Sequence, residues 1–109
     1  TRGIAVIDQG LQQLVRTADT SEFYAGRTIF VVVPDCGRDS NSLMQVPFQH
    51  HFSTRSAHEI WALIVGPGVA RGKVLDKVKD QSQIAATVGA AMGFKTSLAE
   101  AGAISEVFV

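Results

Sequence analysis

Ile4, Ile7, Leu11, Leu14, Val15 and Ala18 recur at the spacing of one helical face, with Asp8, Gln9, Gln12, Gln13 and Arg16 off it. The segment predicts an amphipathic helix, weakened slightly by Gly10. Asp19, Thr20 and Ser21 are turn formers that open a connection running to Gly26. Thr28-Ile29-Phe30-Val31-Val32-Val33 is continuously apolar and rich in β-branched residues. That pattern predicts a strand buried on both faces, inside a sheet covered by helices, and Pro34 ends it. Ile60-Trp61-Ala62-Leu63-Ile64-Val65 predicts a second buried strand, stopped by Gly66-Pro67-Gly68. Lys73-Val74-Leu75 reads as a short strand or an extended link. From Gln83 to Met92 a second helix is expected, with Ile84, Val88, Ala91 and Met92 on one face. Asp80 or Ser82 caps its start and Gly93 stops it. The apolar tail Ala103–Val109 suits an edge strand or a short helix.

The stretch Cys36–Arg55 between the strands is polar and irregular, a long loop of the kind that is commonly functional or mobile. It contains no good helix, so a parallel crossover is disfavoured and an antiparallel strand pair is expected. The order of helix, strand, loop, strand and helix is an α/β alternation. No repeat, low-complexity tract or linker divides the chain, so residues 1–109 read as a single segment.

The 109 residues are 46% hydrophobic and 18% charged, a globular composition that argues against disorder. Lys and Arg together number 10, as do Asp and Glu, so no basic excess supports nucleic-acid binding. The one cysteine, Cys36, excludes an internal disulfide and a Cys-rich zinc module. The longest apolar runs are far too short to span a bilayer. The first residue, Thr1, in place of Met, suggests processing, proteolysis or a boundary within a longer chain. Compartment is left open between the cytoplasm and the periplasm or cell exterior.

Asp35, Cys36, Gly37, Arg38 and Asp39 follow the first strand, at the carboxyl edge where α/β sheets bind ligands. Asp offers a hard oxygen, Cys a soft thiolate, and Gly a sharp turn, a combination suited to a metal. Local composition by itself favours an ordinary strand-to-loop turn with a half-buried Cys. His50, His51 and His58 crowd into nine positions. Imidazole is the commonest metal ligand, but adjacent histidines in extended backbone point opposite ways. Water-exposed loop histidines are the plainer reading. The run Gly66–Lys73 superficially looks like a phosphate-binding loop, but Pro67 stands where Gly is needed and Val74 where Ser or Thr is needed. Trp61, in an apolar strand, is expected in the core.

The order of these elements resembles the C-terminal part of the alkaline phosphatase superfamily. There, a helix carrying an Asp precedes a hydrophobic strand that ends in Asp-His-Gly, often followed by Arg. A loop with a further His leads to a strand running into Gly-Pro-Gly, and a helix of the form sQvdiApTla…lG comes next. Here Ala5-Val6-Ile7-Asp8 lies in the first helix, Thr28–Val33 is the strand, and Asp35-Cys36-Gly37-Arg38 stands at the motif. His51 takes the later-His position, ahead of Ser56-Ala57-His58-Glu59-Ile60-Trp61. Ala62–Val69 matches the second strand and its exit, and Asp80–Val88 the final helix, with Gly93 at its end. The tail Gly102–Phe108 is similar to the family's closing segment, so the resemblance spans essentially the whole chain.

The resemblance implies a partial three-layer α/β fold, a mixed sheet with flanking helices, forming the C-terminal part of a larger hydrolase-like domain. It implies a divalent-metal hydrolase of phosphate or sulfate esters, with zinc the expected ion. Asp35 and Cys36 would bind one metal, His51 would help bind the other, and Arg38 would orient an anionic substrate group. Two departures stand out: Cys36 replaces the motif's His, and Phe52 replaces the Gly that often follows the later His. Thiolate is itself a good zinc ligand. The family's nucleophile and remaining ligands lie upstream of these elements; nothing from Thr1 to Asp35 matches them, and no His precedes His50. The segment is therefore expected to be inactive alone and to need the remainder of a parent polypeptide. With half a sheet missing, self-association is expected. The competing expectation is a non-catalytic α/β module in which a degenerate site serves partner or ligand binding.

Overall fold

The computed structural model describes residues 2–39, 43, 50 and 54–109. The chain divides into two compact units, 1–67 and 68–109. It combines helices with a small two-stranded antiparallel sheet, a coarse α/β architecture.

The first unit opens with α1, Arg2–Thr20, which follows from the helical stripe and runs two residues beyond it at each end. Only Ala18 on this helix is buried; Leu11 and Val15 are half-buried. The N-terminal half of the stripe is bare, with Ile7 65% exposed. The connection behind α1 is organised by Ser21, whose hydroxyl accepts from the Phe23 and Tyr24 amides. Strand β1, Phe30–Val32, pairs antiparallel with β2, Leu63–Val65, in the register Phe30↔Val65, Val31↔Ile64, Val32↔Leu63. The antiparallel arrangement agrees with the expectation drawn from the helix-free loop. Both strands are shorter than their apolar runs. Burial departs further from expectation: β1 is half-buried, and Leu63 and Val65 are exposed around a half-buried Ile64. Continuous apolarity marks a strand built to be covered on both faces, but the described residues leave β1 only half-covered and Leu63 and Val65 exposed. Trp61, expected in the core, is 58% exposed for the same reason. A short helix, α2, Arg55–His58, precedes β2 where the sequence suggested only loop.

The second unit is built around α3, Gln83–Met92, the expected helix. Its start is fixed reciprocally: the Ser82 amide donates to Asp80 Oδ1 at 2.8 Å, and the Asp80 amide donates to Gln83 Oε1 at 3.0 Å. This is a capping-box arrangement, and it makes Asp80 rather than Ser82 the capping side chain. Gly93 ends α3 in the left-handed region at φ 78°, where its missing Cβ avoids strain. The tail forms a 3₁₀ turn, η1, Ser105–Val107, and then an antiparallel bridge between Phe108 and Val69. The tail thus takes a short helical turn and a single bridge rather than an edge strand. The Ala70 amide donates to the Val107 carbonyl and the Val109 amide to the Gly68 carbonyl, closing this unit's two ends together. Its core holds Val69, Ile104, Thr87 and Gly89. Residues 73–75 form no strand.

Candidate functional site

The candidate site sits in the first unit, where the chain leaves β1. After Val32 the backbone passes Val33 and Pro34 and bends at Asp35 and Cys36. The Cys36 amide donates to Asp35 Oδ1 at 2.9 Å, and the Cys36 thiol approaches the same oxygen at 3.6 Å. One carboxylate oxygen thus receives two donors from its neighbour. The amide bond, then the thiol contact, with a smaller contribution from the Arg38 charge, hold the Asp35 carboxyl below the usual range. The thiol responds in the opposite direction. Partial desolvation, and then the adjacent Asp35 charge, push the Cys36 thiol up. A metal bound there would have to displace the thiol proton.

Gly37 locks this bend to the other side of the loop. Its amide donates to the Ala57 carbonyl at 2.9 Å. A Cβ at position 37 would run into the Ser56 carbonyl oxygen and come within 2.7 Å of the Glu59 carbonyl oxygen. The Asp35–Gly37 bend therefore lies directly against the backbone of α2. Antiparallel pairing explains why: β2 starts at the sheet edge where β1 ends, so the segment entering β2 is already there. Arg38 is exposed, and its Nη1 stands 3.4 Å from His50 Nδ1, an interaction open to the tautomer with that nitrogen unprotonated. Asp39 is buried. His58 is the last residue of α2 and is exposed. On that helix Arg55 Nε donates to Glu59 Oε1 as an i, i+4 ion pair between exposed side chains.

Asp35, Cys36 and Arg38 thus occupy one corner, with His50 reaching Arg38. His51, the other expected metal ligand, lies outside the described residues. Among the described residues no three of His, Cys, Asp and Glu converge as a metal-holding group. Zinc takes four ligands in structural sites and three from protein in catalytic ones. Asp35 and Cys36 therefore do not fit zinc by themselves, and other ligands would have to complete the set.

The sequence reading missed α2 and the Gly37 contact. A signal for the first was present in Arg55 and Glu59, spaced four apart around Ala57. The second had no local signal, since a close backbone approach leaves only a glycine behind. The second unit has an open hollow of about 350 Å³, lined among others by Ala86, Ala90, Phe94 and Thr96. Its charged lining residues are Lys95 and Glu100, which make no metal-binding set. No helix among the described residues is long and apolar enough to cross a membrane. No family model, curated protein or solved structure matches the chain.

Proposed function

We propose that this chain is the C-terminal part of a metal-dependent phosphate- or sulfate-ester hydrolase resembling the alkaline phosphatase superfamily, with a partial three-layer fold of that type. The observation that carries the reading is the corner itself. An Asp-Cys-Gly-Arg run leaves the carboxyl end of β1 and rests on the segment that enters β2, at one edge of an antiparallel pair. The exposed apolar residues of α1 and β2 support it further, because such faces belong under other layers of a larger domain.

In this reading Asp35, Cys36 and His51 are the chain's share of a zinc or other divalent-metal site, and Arg38 meets the anionic group of a small ester. The nucleophile and the remaining ligands come from the rest of the parent polypeptide. Such catalysis rests on positioning and charge stabilisation, which two metal ions supply when bound. A second reading, a non-catalytic module with a degenerate site, is favoured by one observation: Cys36 stands where the motif has His.

Two measurements test the proposal. The coding sequence 5′ of Thr1 is expected to encode a strand ending in Asp and then a Ser, Thr or Cys at a helix start. A stop codon, or a start codon close to Thr1, favours the module instead. The chain alone, assayed on phosphate and sulfate esters with Zn²⁺, Mg²⁺ or Mn²⁺, is expected to show no turnover. Clear turnover abolished by Asp35→Ala would overturn the partial-site reading.

A further inference from the structure

We infer that Gly37 is a positioning residue, which sets the Asp35–Cys36 corner by docking its backbone on Ser56–Glu59. The inference deepens the proposed site but stands on geometry alone. The Gly37 amide reaches the Ala57 carbonyl at 2.9 Å. The atoms that a Cβ at 37 would strike are the Ser56 and Glu59 carbonyl oxygens. These are backbone atoms at the two ends of a helical turn, so no side chain can swing away to make room. Ala57, the residue that accepts the bond, is itself buried, which anchors the acceptor. The backbone of Gly37 is not in the left-handed region, so glycine is required here by space rather than by φ.

The consequence reaches Asp35 and Cys36 through two peptide units. The bond from the Cys36 amide to Asp35 Oδ1 sets the carboxylate within the corner, and the Gly37 bond sets the corner against α2. The corner is held by these backbone contacts. Alanine at 37 lifts it off α2 and uncovers the Cys36 thiol, while β1 and β2 remain paired.

The test is alkylation of Cys36 by iodoacetamide in the 109-residue chain, with chelator present and at several low urea concentrations. The rate for Gly37→Ala is expected to exceed wild type by about tenfold or more, with almost no urea dependence, as for a local opening. Gly89→Ala is the control, because a Cβ there would come within 2.9 Å of the Phe94 carbonyl oxygen, in the other unit. A Gly37→Ala rate within about twofold of wild type would overturn the inference, as would an equal rise in Gly89→Ala. Should Gly37→Ala fail to fold, amide exchange in the wild-type chain decides. The Gly37 amide is expected to exchange at least about tenfold more slowly than an unprotected amide, and an unprotected Gly37 would refute the docking. Neither result depends on metal binding or hydrolysis, so failure of the hydrolase proposal leaves this outcome separately readable.

Discussion

Thr87 Oγ1 accepts the amide proton of Ile104 at 2.9 Å and donates its own to the Gln83 carbonyl at 2.7 Å. Thr87 is 2% exposed and Ile104 4% exposed, so the bond between them is shielded from water. One hydroxyl therefore joins α3 to the tail. Thr87→Val keeps the shape but leaves the Ile104 amide without this acceptor in a buried place. A loss of about 1–3 kcal/mol is expected, the usual penalty for a buried polar group deprived of its partner. Thr87→Ser should lose less, because it keeps the hydroxyl. Urea unfolding of the two variants checks the order; equal stability of Thr87→Val and wild type would remove the hydroxyl from the account.

The same unit should be sensitive to acid. The side-chain and backbone bonds with Ser82 hold Asp80 below the ordinary carboxylate range, and the hydrogen bond from Lys79 does the same for Glu106. Both folded values are depressed. Their contribution is present above the unfolded carboxylate value, about 4, and is lost as pH falls through the lower folded values. The paired variant Asp80→Asn, Glu106→Gln should therefore lose stability less steeply than wild type below about pH 4. Thermal unfolding as a function of pH checks this, and parallel curves would count against it.

Zinc binding tests the proposed ligands. Cys36→Ala and His51→Ala, together, are expected to weaken Zn²⁺ affinity by at least about tenfold, or ~1.4 kcal/mol. Isothermal titration at neutral pH measures it. Proton release on binding should accompany the wild-type reaction, because a cysteine ligates zinc as the thiolate. Unchanged affinity in the double variant would defeat the assignment of these residues to a metal.

The exposed apolar surface predicts association. Ile4, Val6 and Ile7 on α1, and Trp61, Leu63 and Val65 around β2, all face solvent in the first unit. Among the described residues the sheet has two strands, which leaves both outer strand edges without a sheet neighbour there. Sedimentation velocity at high concentration is expected to show species larger than the monomer, reduced by Ile7→Lys. A strictly monomeric wild-type chain would refute the expectation.

The sequence by itself determined the elements whose cause is local. The period of Ile4, Ile7, Leu11, Leu14 and Ala18 specifies α1, because a helix repeats its face with neighbours close in the chain. Gln83–Met92 and its Gly93 stop are equally local: the reciprocal bonds of Asp80 and Gln83 lie within one turn, and a left-handed stop needs only glycine. The antiparallel sense of β1 and β2 was also legible, since the sequence between them shows no good helix for a crossover. Tertiary structure alone decided the rest. It left Trp61, Leu63 and Val65 exposed, because apolarity records what a strand is suited to touch and not whether the touching layer is present. It brought the Ile104 amide to Thr87, residues seventeen apart, and the Gly37 amide to Ala57, residues twenty apart. Side-chain periodicity along the chain carries no information about which distant carbonyl an amide will meet. The Asp-Cys-Gly run was therefore readable as a candidate site, but the fit of its glycine against α2 became visible only when two separate stretches of backbone were folded together.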